Sequence, residues 1–257
     1  MDPASIIGIV LAFAAIFGAN IMEGGNPMSI MLVPPLILVI GGTLGAAMAG
    51  GIMRDTTGII GQLKRAMTMK KMPADQLISN VVSLAERARR EGLLALEEAA
   101  KDVEQPFLRR GLQMAIDGTD PDELSEILYS EVDAKRKADK SGAKVFSDMG
   151  AYAPTIGIIG TVMGLVHVLE NLSNPDELGH LIAGAFVATL WGVMTANCLW
   201  LPIGARLKRV SEIECDQMEL AVEGILAIQA GANPRVVGQK LRSLLPPDEV
   251  KPEKKAA

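Results

Sequence analysis

The sequence predicts an all-α membrane protein: four transmembrane helices, a helical cytoplasmic domain between spans two and three, and a C-terminal cytoplasmic helical extension. Three observations predict it. Of 257 residues, 49% are hydrophobic and only 21% charged, and the mean hydropathy is +0.27. The apolar bulk comes with 26 glycines and 4% aromatics, the composition of closely packed membrane helices. Lys and Arg gather on one side of the apolar stretches. Disorder is excluded by the high hydrophobicity. Two cysteines, Cys198 and Cys215, exclude a disulfide scaffold. A net charge of −5 argues against nucleic acid as a partner.

A span needs roughly 20 mostly apolar residues. The first stretch, Ala4 to Met22, and the second, Met28 to Met53, are uncharged. Met1-Asp2-Pro3 carries no basic residue, so the first is expected to be a span and not a cleaved leader. The third span runs from Met149 to Leu169 and the fourth from Leu181 to Ala205. The loops Glu23 to Pro27 and Glu170 to His180 contain no Lys or Arg. Arg54, Lys64, Arg65, Lys70 and Lys71 follow span two, and Arg206, Lys208 and Arg209 follow span four. The positive-inside rule then places both termini in the cytoplasm. The expected divisions are residues 1–53 and 149–205 for the spans, 54–148 and 206–247 for the cytoplasmic helices, and 248–257 for a disordered tail.

The cytoplasmic stretches show no period-2 pattern. Pro73 is expected at the first position of a helix whose apolar side includes Leu77, Ile78, Val81 and Leu84. Gly92 interrupts it, and Leu93 to Val103 resumes. Gly118 reads as a stop. Asp120, Pro121 and Glu123 have the spacing of an N-cap, N1 and N3, and the helix they start is expected to run into span three. Ile203 to Ala230 is one long amphipathic helix ending at Gly231. Asn233-Pro234 starts a last short helix, and Leu245-Pro246-Pro247 ends the fold.

Little here resembles an enzyme. Gly58-Ile59-Ile60-Gly61 lacks the Gly-Lys-Ser/Thr of a phosphate loop. His167 and His180 have no metal-ligand spacing and are expected at the outer membrane surface; Cys198 reads as a packing residue. No cofactor and no metal is expected. No span holds Asp, Glu, Lys or Arg at mid-depth, where such a residue would mark an ion path. The spans hold hydroxyls, prolines and small residues instead. Gly160 and Gly164, and the ladder Gly184, Ala188, Gly192 and Ala196, let backbones approach closely, within the chain or against another. Thr161 and Thr189 are either path hydroxyls or bonded back to their own helices. If ions move, their charged carrier comes from a partner helix. Around Gly92-Leu93-Leu94, the charges Arg89, Arg90, Glu97 and Glu98 form either a solvated helix face or a docking surface.

Four segments resemble one family. They are Ala88-Arg89-Arg90-Glu91-Gly92-Leu93-Leu94-Ala95-Leu96-Glu97-Glu98, the span-three run Ala153 to Leu165 (APTIGIIGTVMGL), Ala188-Thr189-Leu190-Trp191-Gly192, and Glu223 to Arg235 (EGILAIQAGANPR). Together they are similar to the MotA/PomA family, the larger stator subunit of the bacterial flagellar motor. The span-three run is shared with ExbB/TolQ energisers of outer-membrane systems, the alternative reading; four spans with both ends inside favour the flagellar branch. The resemblance implies an inner-membrane ring of five subunits around a dimer of MotB-like single-span chains, whose aspartate binds the ion. It implies that Thr161, Thr189, Phe186 and Ala188 line the ion path, and that Pro154 and Pro202 couple ion flow to movement. It implies that Arg89, Arg90, Glu97 and Glu98 contact the rotor protein FliG. Sodium-driven PomA-type members have Thr-Thr where this chain has Ala188-Thr189. The ion expected here is therefore the proton, because a methyl cannot coordinate a hard cation.

Overall fold

The structure is a computed structural model that describes residues 4–53, 57–68 and 73–246. Met1-Asp2-Pro3, the flanking cations Arg54, Lys70 and Lys71, Pro247 and the tail from Asp248 to Ala257 lie outside the described residues. Every regular element among the described residues is helical. In chain order the α-helices are α1 (Ala4–Met22), α2 (Val33–Gly50), α3 (Ile59–Thr68), α4 (Ala74–Glu91), α5 (Leu96–Lys101), α6 (Pro106–Ile116), α7 (Pro121–Glu170), α8 (Pro175–Thr195), α9 (Leu201–Gln229) and α10 (Pro234–Ser243). Four helical stretches are long and apolar enough to cross a membrane.

The chain divides into two compact units. Residues 1–70 and 139–210 form the unit with the spans, and residues 71–138 and 211–257 form the other. The span unit is larger than residues 1–53 and 149–205, because α3 packs into it. Ala66 is buried with Ala143, Phe146, Ile203 and Leu207, and Arg65 grips the carboxylate of Asp139 through both guanidinium nitrogens.

In the span unit α1 matches the predicted span residue for residue and fully buries no side chain. The second span differs from expectation. Asn26 accepts the Met28 N–H at 2.9 Å and caps a single 3-10 turn, Pro27–Ile30; α2 starts only at Val33. Pro34 and Pro35 lack the N–H that a helix interior requires, so they can stand only in a first turn. The helix that carries the fourth span starts at Pro175, ahead of Leu181, and residues Ala196–Trp200 form a π-helical turn between α8 and α9. Pro202 follows one residue beyond it. A proline removes one backbone hydrogen bond and crowds the carbonyl four residues earlier, here Cys198. A local π turn accommodates that strain without ending the helix.

The other unit is built on water-facing rules. α4 buries Leu77, Ile78, Val81 and Leu84, against Leu112 of α6, Leu128 of α7, Ile225 of α9 and Leu241 of α10. Each such burial contributes roughly 1.5–3 kcal/mol. Pro73 is the N-cap of α4 and not its first residue, since its ψ of 128° is extended. The segment Leu93 to Val103 is also not one helix. A 3-10 turn, Leu93–Ala95, leads into the short α5, and Pro106 restarts the chain as α6 because it is pre-set for a first turn. Gly118 closes α6 as expected. Its N–H donates to Ala115 O and the Thr119 N–H to Met114 O, the two bonds of a Schellman stop. Gly231 ends α9 with the same pair. Asp120 caps α7 by accepting the Asp122 N–H at 2.9 Å, and Asn233 caps α10 by accepting that of Arg235 at 3.0 Å. α7 runs unbroken into the third span, as the sequence predicts.

Glu223 joins three helices of this unit. It accepts from Lys240 Nζ at 2.6 Å and from the Tyr129 hydroxyl at 2.7 Å. The hydrogen bonds from Lys240 and then Tyr129 hold its carboxyl below the ordinary range. Burial, followed by the bond to Glu223, pushes the Tyr129 phenol up to about 12.

Candidate functional site

In the span unit α7 and α8 meet along small residues. A Cβ on Gly164 would lie 2.6 Å from the Ala185 methyl, and one on Gly160 would lie 2.6 Å from the Ala188 methyl. A Cβ on Gly157 would lie 2.8 Å from the Ala188 carbonyl oxygen, and one on Gly192 would lie 2.6 Å from the Ala153 carbonyl oxygen. The close approach that the spacing predicts thus occurs within the chain. Gly184 is different: a Cβ there would meet only the Leu32 side chain, at 3.8 Å.

This approach brings Thr161 and Thr189 together, their hydroxyl oxygens 2.5 Å apart across the two helices. Thr161 Oγ1 also lies 3.0 Å from the Ala185 carbonyl and 3.3 Å from the Gly157 carbonyl. A hydroxyl has one proton, and a carbonyl can only accept. When Thr161 donates to Ala185, Thr189 must donate to Thr161, which leaves the Thr189 oxygen as an acceptor. Bonding back to its own helix therefore describes Thr161 in part, while Thr189 bonds across. Phe186, on the Thr189 side of α8, is 62% exposed. Ala188 is not on that open side; it is buried against Gly160, so the structure gives its methyl a packing role.

Pro154 lies inside α7 and Pro202 two residues after the end of the π turn. Gly150, whose carbonyl Pro154 leaves without a helical partner, sits where a Cβ would be 2.5 Å from the Leu201 side chain. Both irregularities therefore flank one close contact. No sequence signal beyond Pro202 announced the π turn. His167, within 3.4 Å of Glu170, and His180 line one groove of ≈ 510 Å³ with Pro34 and Pro35. No group of three or more metal-binding side chains comes together among the described residues. Of the two free cysteines, Cys198 is half-buried and Cys215 buried.

In the other unit, Arg89 and Arg90 end α4, and Glu97 and Glu98 begin α5, all exposed. Between them Gly92, at φ +86°, turns the chain in the left-handed region that other residues resist. Glu98 pairs with Lys101 at 2.8 Å, and that hydrogen bond draws its carboxyl below the usual range. Leu94 stands among these charges and is 75% exposed. Its neighbours on both sides are apolar, so the sequence did not mark it as a surface residue.

The model of the MotA/TolQ/ExbB proton channel family matches residues 99–220, and that of the motility protein A N-terminal region matches residues 6–92. Motility protein A of Bacillus subtilis (strain 168) is 37% identical over 254 residues, covering 96% of this chain and 92% of the relative. The chain belongs to the motility protein A family. It is thus a stator-type ion-conducting subunit of the flagellar motor and not an enzyme, and the ExbB/TolQ-like alternative is not favoured. The solved C. jejuni MotAB has a TM-score of 0.92 at 30% identity, covering 98% of this family member and 99% of that chain. The flagellar MotAB stator complex from Bacillus subtilis has a TM-score of 0.89 at 36% identity, covering 95% and 97%.

Proposed function

We propose that this chain forms the proton-conducting ring of an inner-membrane stator, five copies around a dimer of a MotB-type single-span partner, with both termini in the cytoplasm. The observation that carries the ion path is the Thr161–Thr189 hydroxyl pair, set in spans whose middle holds no Asp, Glu, Lys or Arg. The partner supplies the carboxylate. Its protonation removes a charge from the bilayer, where charge is costly, and releases the ring to step. Thr189 offers the acceptor oxygen and Phe186 the apolar neighbour on the same side. Pro154 and Pro202, on either side of the Gly150–Leu201 contact, give the paired helices a place to bend. Arg89, Arg90, Glu97 and Glu98 pass the movement to the rotor protein FliG.

The ion in this reading is the proton. The Ala188 methyl packs against Gly160 and offers no ligand, which leaves the Thr161–Thr189 pair, fewer oxygens than a hard cation takes up in place of its water. Cells carrying this stator should swim at undiminished speed in sodium-free potassium medium at fixed membrane potential. Paralysis there, reversed by added sodium, would contradict the proton reading.

A further inference from the structure

Where α4 ends, the chain turns so as to present one apolar side chain. Leu94 is 75% exposed, more than any other large apolar side chain among the described residues of its unit, Val236 at 55% being next. An exposed leucine is ordinary in itself. This one is held in place. Leu93 packs against the core of the unit and Leu96 is fully buried, so the turn is pinned on both sides of Leu94. The Gly92 N–H donates to Ala88 O at 2.8 Å, and Gly92 O accepts the Ala95 N–H at 3.2 Å. The Leu96 N–H closes the turn on the Leu93 and Leu94 carbonyls. Arg89 and Arg90 precede the turn, Glu97 and Glu98 follow it, and all four are exposed.

We propose that Leu94 is the apolar anchor of the rotor contact: it enters an apolar depression on the rotor protein, and the charges on either side form the polar rim. The inference rests on the reading of Arg89, Arg90, Glu97 and Glu98 as rotor-facing charges. Four arguments select that occupant. Exposed ion pairs contribute little each, so a contact that transmits force needs more than the four charges. An apolar centre inside a polar rim is the usual plan of a protein interface, and residues 89–98 supply both. A rim of mixed sign sets register against one complementary partner surface, where a rim of one sign would attract any opposite charge. Finally, one leucine with a charged border covers far less than the about 1,200 Å² of a stable subunit interface. It suits a partner that is released at every step. Because the turn is already fixed by Leu93 and Leu96, seating Leu94 orders no further backbone.

The test measures binding of purified FliG to the full complex with its partner in nanodiscs. Leu94→Ala removes most of the buried side chain and should weaken binding about thirtyfold. Leu94→Asn, of similar size but polar, should weaken it as much. Leu94→Met, which keeps an apolar side chain of similar volume, should stay within about threefold. A position this exposed tolerates substitution, so each variant should assemble and melt as wild type does. Salt separates the anchor from its rim. Between about 0.1 M and about 1 M salt the screening length falls from about 10 Å to about 3 Å; the penalty of Arg89→Ala should shrink and that of Leu94→Ala should persist. Wild-type affinity in Leu94→Ala, beside weakened binding in Arg89→Glu, would overturn the anchor and leave the charged contact standing. A Leu94→Ala penalty that disappears at high salt would also overturn it. So would failure of the Leu94→Ala complex to assemble, which would place Leu94 between copies of this chain. Absence of FliG binding by the wild-type complex would overturn the charged contact and the anchor together.

Discussion

The two units differ at their closest helix contacts. Residues 71–138 and 211–257 hide large aliphatic side chains such as Leu77, Leu112, Ile225 and Leu241, and they expose charge. The span unit does the reverse along α7 and α8. Gly157, Gly160 and Gly192 are hidden against Ala153 and Ala188, while Ile158, Ile159, Val162 and Met163 point outward. Water drives the first arrangement, because burial of apolar area is favourable there. Lipid is as apolar as leucine, so size and close backbone approach decide the second. Along the α7–α8 contact a core residue is therefore recognised by its smallness, while elsewhere in the span unit Phe146, Trp191 and Ile203 are buried as large apolar side chains.

Substituting a hidden glycine should break this contrast most strongly. Gly192→Val places a side chain 2.6 Å from the Ala153 carbonyl, a backbone atom that cannot move aside cheaply. Overpacking of this kind costs about 3 kcal/mol or more, and the purified complex should fail to assemble on size exclusion. Normal assembly would show that the glycine contact is not what holds α7 to α8.

The next largest effect belongs to the other unit. Ile225 is 0% exposed, and Ile225→Ala should cost about 2–5 kcal/mol through lost burial and a residual cavity. Ile7, at 59% exposure on α1, sharpens the comparison: Ile7→Ala should change stability by no more than about 0.5 kcal/mol. Thermal melts of the two variants followed by circular dichroism check both. A larger loss from Ile7→Ala would mean that α1 has an apolar partner its bilayer-facing surface does not reveal.

Surface charge should affect movement and leave stability almost untouched. Exposed ion pairs are worth about 0–1 kcal/mol. Arg89→Ala should reduce swimming speed in part and Arg89→Glu more, both with normal expression. Loss of expression in Arg89→Glu would make the charge structural and remove it from the docking face.

Local signals were legible in the sequence. The Asp120 and Asn233 caps and the Gly118 and Gly231 stops each depend on a few adjacent residues. What escaped depends on distant contacts or on backbone register. The Arg65–Asp139 pair joins residues far apart in sequence. The π turn at Ala196–Trp200 inserts register that no residue type announces. Pro34-Pro35 and Pro106 do carry local signals, and weighting their missing N–H more heavily would have placed the starts of α2 and α6. For the site, the small-residue spacing told that helices approach, but not that Ala188 turns inward while Gly184 stays open. Thr161 and Thr189 could be singled out, yet only packing shows that they bond to each other.

That pair is the centre of the account, and Thr189 tests it most directly. The measurement is proton flux through the purified complex in liposomes, for wild type, Thr189→Ser and Thr189→Ala, with assembly verified for each. The account predicts that Thr189→Ala assembles but loses most of the flux, and that Thr189→Ser, which keeps the hydroxyl, retains it. Flux through Thr189→Ala equal to wild type would contradict the account, and Thr189 would then be a packing residue alone.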